Sequence, residues 1–242
     1  MLLIGGTDSS GGAGLVRDLR TLGELDTAAL CAVTAVTAQT NEALRAACAM
    51  TPELVRAQIE AAFATCPIGA VKIGMLANAA IVQAVADALA PHPNVPVVLD
   101  PVLLSTSGAE LLHEAGRRVL MERLLGSVTL LTPNIAEAAA LLGCRAAASE
   151  AQALEQAKQL LSRGARAVLL KGGHASGHES VDLLLSAQGL ERLSAPRVAA
   201  TLRGTGCALA SAIAAHLARR VPLALACARA KTYVSALLNQ RL

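Results

Sequence analysis

Tryptophan is absent from this chain of 242 residues, and Tyr233 and Phe63 are its single tyrosine and phenylalanine. Proteins that hold single-stranded nucleic acid stack bases on aromatic rings, so this chain is poorly equipped for that role. Charge is scarce too: 16% of residues are charged, the net charge is +3, and no long basic block is present. A nucleic-acid partner is therefore not expected. Although 54% of residues are hydrophobic, no stretch reaches the roughly 18 consecutive apolar residues that a membrane span needs. The six cysteines include no C-x-x-C pair, which speaks against a zinc ribbon or a redox couple. The first residues enter a strand-like run with no basic segment ahead of a long apolar one, so no secretory signal is expected. The cysteines then read as free thiols in a reducing cytoplasm.

What the chain has in abundance is Ala, Leu and Val, a mixture suited to a buried parallel sheet covered by small-residue helices. Strand-like runs fall at 2–6, 29–36, 70–74, 95–99, 128–132, 167–171 and 181–186. Between and after them lie helical patterns at 12–25, 52–64, 77–90, 111–125, 135–142, 150–163, 207–219 and 223–238. Such alternation predicts βαβ units in one α/β domain over residues 1–242. The polar and glycine-rich residues cluster directly after strand-like runs: Gly6-Thr7-Asp8-Ser9-Ser10-Gly11-Gly12, Gly74-Met75, Asp100-Pro101-Val102, Thr132-Pro133-Asn134 and Lys171-Gly172-Gly173-His174. Ligands of open parallel sheets bind outside the carboxyl ends of the strands, so these segments predict one shared site.

Gly204-Thr205-Gly206-Cys207 opens an alanine-rich helical run. Glycines there let backbone approach a ligand closely, and the helix N-terminus favours an anion such as a phosphoryl group in transfer. A thiol on the first turn is expected to have a lowered pKa, which suits Cys207 to accept a proton; a tight turn with a small buried cysteine is the plainer reading. The N-terminal glycine-rich loop is neither a Walker A motif nor a GxGxxG fingerprint. Asn134 and Glu137 open a helix, either as a capping box or as ligands of a hydrated Mg²⁺ and a phosphate. Asp100 ends an apolar run and needs a partner there to offset its desolvation. Lys171, at the end of another, can meet phosphate as a point charge.

Together these strings resemble the ribokinase-like superfamily, and within it the hydroxymethylpyrimidine/phosphomethylpyrimidine kinases of thiamine biosynthesis. The resemblance extends from Gly5 to the last helix and also includes Val36-Thr37-Ala38-Gln39-Thr40 and Lys72-Ile73-Gly74-Met75-Leu76. It implies a three-layer αβα fold with a central, mostly parallel sheet, ATP and Mg²⁺ as cofactors, and a homodimer. It implies Cys207 as catalytic base, with Gly204, Thr205 and Gly206 as the anion hole. Asn134 and Glu137 would organise Mg²⁺ and phosphate, Lys171 the nucleotide phosphates, and Asp100 the metal–water network. The pyrimidine would meet Asp8, Ala13, Met75, Val102 and Gln39, whose amide offers both donor and acceptor to an aminopyrimidine edge. Ser9 and Arg203 depart from the family pattern, which carries Pro and His there. A pyridoxal kinase of the same superfamily and a non-catalytic nucleotide- or vitamin-binding protein are the alternatives.

Overall fold

A computed structural model describes residues 1–40, 42–105, 108–172, 178–199 and 202–240. Nine strands form one sheet: β1 (Leu2–Asp8), β2 (Leu30–Gln39), β3 (Leu44–Ala49), β4 (Val71–Ile73), β5 (Val97–Leu99), β6 (Leu130–Leu131), β7 (Ala167–Lys171), β8 (Glu179–Ser186) and β9 (Gly189–Pro196). The helices are α1 (Gly14–Glu24), α2 (Pro52–Thr65), α3 (Ala79–Leu89), α4 (Glu114–Val119), α5 (Ile135–Leu142), α6 (Glu150–Ser162), α7 (Thr205–Ala218) and α8 (Leu223–Asn239). The order across the sheet is β3-β2-β1-β4-β5-β6-β7-β8-β9. The strands from β2 to β7 run parallel, whereas β3, at one edge, and the β8–β9 hairpin, at the other, add antiparallel pairings.

Alternation along β1 sets the layers. Leu2 and Ile4 point into a core with residues of α2, α3, α5 and α6, while Leu3 packs with Leu15 and Leu22 of α1 and Ala215 of α7. A further core on that second face joins Val98, Leu130 and Leu169 to α7 and α8. The result is helix, sheet, helix, as expected, and the central strands are buried on both faces, which is why they read as continuous apolar runs. The extremes of β3 and β9 were not expected from sequence. Nor was the break in the 111–125 pattern, where α4 gives way to a wide turn over Leu120–Leu124 and a tight one over Leu125–Ser127.

Local chemistry fixes the helix starts. Thr51 caps α2 with Pro52 in its first turn, Asn78 caps α3, and Ser149 caps α6, each side chain accepting a backbone N–H. Helix α7 is buried at ten positions, and its alanines let it press against the sheet. Chain order reverses beside β1, which has β2 on one side and β4 on the other, and a crevice opens at such a switch point. Among the described residues, no helix is long and apolar enough to cross a membrane.

Candidate active site

Asp8, Gly74, Asp100, Asn134 and Lys171 lie at or just beyond the ends of β1, β4, β5, β6 and β7, and all line one cavity of about 730 Å³. All thirteen residues named from the sequence as site candidates line it. Gly173 and His174 lie outside the described residues.

Two glycine turns meet at its centre. Gly14, at the start of α1, has φ +56°, and a Cβ there would strike the Gly6 carbonyl oxygen. Gly204, the residue before α7, has φ +75°, and a Cβ would strike the Gly12 carbonyl and the Ala13 Cα, the latter at 3.1 Å. Both positions demand glycine for conformation and for space. The first turns of α1 and α7 are thereby pressed together, and the Gly14 backbone hydrogen-bonds Cys207. The Asp8 carboxylate shapes this junction: Oδ1 accepts from Ser10 N–H and hydroxyl at 2.9 and 2.8 Å, and Oδ2 accepts from Ala13 N–H at 2.9 Å. Its oxygens are thus engaged by its own loop, and the residue lines the cavity together with the other expected pyrimidine contacts.

Ser9 and Arg203 tie neighbouring segments to this loop. Ser9 Oγ donates to the Gln39 carbonyl at 2.9 Å and accepts from Gln39 N–H at 2.8 Å. Arg203 donates to Ser10 Oγ and the Thr40 carbonyl, each at 3.0 Å, and lies 3.4 Å from Asp8 Oδ2. The end of β2 is therefore fixed through its backbone. The Gln39 side-chain amide, on the cavity wall with Ala13, Met75 and Val102, makes no hydrogen bond among the described residues.

Cys207 sits on the first turn of α7 but is only 8% exposed. Burial pushes its thiol up to about 11, against Lys72 and the Gly14 N–H, which favour the thiolate. The expected lowering by the helix terminus is thus outweighed, because the apolar packing that positions the sulfur also strips it of water.

Beside the anion turn stands an ionic group. Lys171 Nζ donates to Asp100 Oδ1 at 2.7 Å and lies 3.7 Å from Glu137 Oε2. A Cβ on Gly206 would come within 3.1 Å of that ammonium nitrogen, so a larger residue there would have to push Lys171 aside by a few tenths of an ångström. Burial would neutralise Lys171, but Asp100 and Glu137 more than offset this and raise its pKa. Burial, opposed by Lys171 and helped by Asp100, pushes Glu137 up to about 7. Asn134 and Glu137 form the capping box in full: Asn134 N–H donates to Glu137 Oε2 at 2.7 Å, and Glu137 N–H donates to Asn134 Oδ1 at 2.8 Å. The capping reading is therefore correct as structure, and the same two side chains still face the cavity.

Sequence reasoning missed two buried ion pairs on the cavity wall, Lys231–Asp182 at 2.7 Å and Lys72–Asp18. Lys72, 1% exposed on β4, donates to both oxygens of Asp18 on α1, at 2.9 and 2.8 Å, and Ser211 on α7 donates to Asp18 Oδ1 at 2.8 Å. The available signal was a lysine inside an otherwise apolar strand.

A family model described as phosphomethylpyrimidine kinase matches residues 8–242. A hydroxymethylpyrimidine/phosphomethylpyrimidine kinase of Escherichia coli K12 is 41% identical over 240 residues, covering 99% of this chain and 90% of its own. The Geobacter sulfurreducens thiamine biosynthesis bifunctional protein ThiED is 40% identical over 98% of this chain and 48% of its own. Among solved structures, a phosphomethylpyrimidine kinase from Clostridium difficile 630 superposes with TM-score 0.85 at 32% identity, covering 98% of this chain and 97% of that one. Pyridoxal kinase from Staphylococcus aureus with AMP-PCP and pyridoxal gives TM-score 0.88 at 29% identity, covering 98% and 86%.

Proposed function

The chain belongs to the phosphomethylpyrimidine kinase family, and from that membership we propose how its own residues act as a hydroxymethylpyrimidine/phosphomethylpyrimidine kinase of thiamine biosynthesis. The observation that carries the reading is the meeting of Cys207, the Gly204–Gly206 turn and the Asp100–Lys171–Glu137 group in one cavity. Phosphoryl transfer needs positioning and stabilisation of charge more than covalent help from the protein, and these residues supply both. The pyrimidine rests on Ala13, Met75 and Val102, with the unengaged amide of Gln39 reading its polar edge. Asp8 acts by shaping the loop against which the substrate packs.

In the first reaction the substrate hydroxyl gives its proton to the Cys207 thiolate. Its oxygen bonds to the γ-phosphorus of ATP, and the bond from that phosphorus to the β-bridging oxygen breaks, its electron pair leaving on ADP. Backbone N–H groups of the turn and the Lys171 ammonium face the transferring phosphoryl group. In the second reaction the acceptor is the phosphate monoester, already anionic near neutral pH because its second pKa is about 6.

Asp100 and Glu137 fit Mg²⁺, which binds through one or two carboxylates together with waters and substrate phosphates. Among the described residues there is no cluster of three or more His, Cys, Asp or Glu that would form a cage of protein ligands alone. Burial disfavours the negative charge of Glu137 even with the Lys171 ammonium beside it, which is consistent with room for a further cation. The ion would neutralise charge on the ATP phosphates. A cytoplasmic location agrees with six free cysteines. A homodimer is proposed on the uncovered face of the β2–β3 hairpin, where Val36 is 49% exposed.

A coupled assay of ADP release with Mg-ATP, comparing hydroxymethylpyrimidine, its monophosphate and pyridoxal, tests the reading. Turnover on both pyrimidines is expected. Turnover on pyridoxal alone would overturn the substrate assignment while leaving the phosphoryl-transfer machinery in place.

A further inference from the structure

A buried ion pair between Lys72 and Asp18 also lines the cavity, and the reaction as described leaves it without a role. Both Lys72 and Asp18 line the cavity, yet both are almost wholly buried, at 1% and 0%. A buried pair of charges contributes little net stability over apolar packing, so its presence beside a reacting group calls for another explanation. Its placement supplies one. Asp18 lies one helical turn beyond Gly14 on α1, and Ser211 lies one turn beyond Cys207 on α7. Residues four apart share a helix face, so the two helices meet at two successive levels. At the upper level the Gly14 backbone bonds Cys207; at the lower, Ser211 bonds Asp18 at 2.8 Å. Lys72 reaches up from β4 and fastens Asp18 through both oxygens. Its Nζ also comes within 2.9 Å of where a Cβ on Gly74 would stand, so the strand end is bare where the ammonium group needs room.

We propose that Lys72, aligned by Asp18 and Ser211, is a positioning residue whose fixed ammonium charge stabilises the Cys207 thiolate. This rests on Cys207 being the proton acceptor. The charged groups facing the sulfur are Lys72 from β4, Asp18 from α1, Asp100 beyond β5 and Lys171 at the end of β7. Among these charges, Lys72 has the largest influence on the thiol and favours its ionised form. The Lys72 ammonium is itself held charged: burial works against it, but Asp18, Cys207 and Asp100 outweigh burial and raise its pKa. The arrangement gives the sulfur a cation that substrate cannot displace, because the ammonium is buried and held by both oxygens of Asp18.

The test is alkylation by iodoacetamide, followed on the Cys207 peptide by mass spectrometry at fixed pH between about 8 and 9, where the rate tracks the thiolate fraction. The neutral pair Lys72→Gln/Asp18→Asn removes both charges without stranding either. Slower alkylation of Cys207 by about threefold to tenfold is expected, corresponding to a thiol pKa higher by about half to one unit. The exposed Cys66, away from the β2–β3 hairpin, serves as internal reference and should react at an unchanged rate. An unchanged rate at Cys207 would overturn the proposal, as would a faster one, which is what simple loosening of the α1–α7 contact produces. If this variant does not fold, Lys72→Met/Asp18→Leu is read in the same way. The readout needs no turnover, so it is separate from the assay that judges Cys207 as base.

Discussion

At the scale of single residues, the two steps assigned to one site make different demands on Cys207. A hydroxyl must lose a proton as it attacks, whereas the phosphate of the monophosphate substrate is already ionised. Cys207→Ala should therefore lower kcat on hydroxymethylpyrimidine by about 10²-fold or more, the usual contribution of a positioned base, and lower kcat on the monophosphate much less. Equal losses on the two substrates would remove Cys207 as the base. The thiol, pushed up to about 11 by burial, also sets a sign for pH. The active form is the thiolate and its pKa lies above the assay range, so the rate of the first step should rise with pH from about 7 to 9. The second step should lack that rise. Gln39→Leu should raise KM for the pyrimidine and leave KM for ATP near its original value, since only the pyrimidine meets that amide; equal changes would remove its assigned role. That Cys207 and Gln39 share one cavity wall was legible in the sequence, since each stands in a recognisable string. Lys72 and Asp18 were not assigned roles, because a buried side chain that works through another residue shows only once strand and helix are placed together.

At the scale of elements, the site depends on the contact between the first turns of α1 and α7. Gly204→Ala would force a β-carbon into the Gly12 carbonyl at a left-handed backbone position. Strain of this kind costs about 1–3 kcal/mol, and relief of the clash would separate the turn from the N-terminal loop. A lower melting temperature together with a large loss of kcat is the expected result, measured by thermal unfolding and steady-state kinetics. Full activity would mean that the close approach is dispensable. The seven central strands and the helices other than α4 were readable from their apolar runs, caps and spacing. Strands β3 and β9 were not. β3, Leu-Arg-Ala-Ala-Cys-Ala, is exposed along most of its length, and β9 carries Glu191, Arg192 and Pro196 with little burial. Edge strands lack the two-sided burial that writes a continuous apolar run into a sequence. The single helix expected over 111–125 broke for a similar reason, since its apolar spacing persists through turns that are not α-helical.

At the scale of the whole molecule, the β2–β3 edge of the sheet presents an uncovered face. Val36 and Cys48 are directly paired across β2 and β3, as are Ala38 and Ala46, so these four share one face of the hairpin. All four are exposed, and together they make a small-residue, largely apolar surface at the rim of the cavity that Gln39 lines. An open edge strand, here charged only at Arg45, is a template for pairing with another chain unless it is covered. A second copy meeting this hairpin would cover it and place the dimer contact beside the pyrimidine pocket. Size-exclusion chromatography with light scattering should then report about twice the chain mass of 24.6 kDa. Val36→Glu, which puts a charge in the middle of the patch, should shift the protein toward monomer and raise KM for the pyrimidine at low protein concentration. If the wild-type protein were monomeric, the dimer would fall, and the exposed hairpin would remain as an unpartnered edge of the sheet. If Val36→Glu stayed dimeric, the contact would lie elsewhere on the surface.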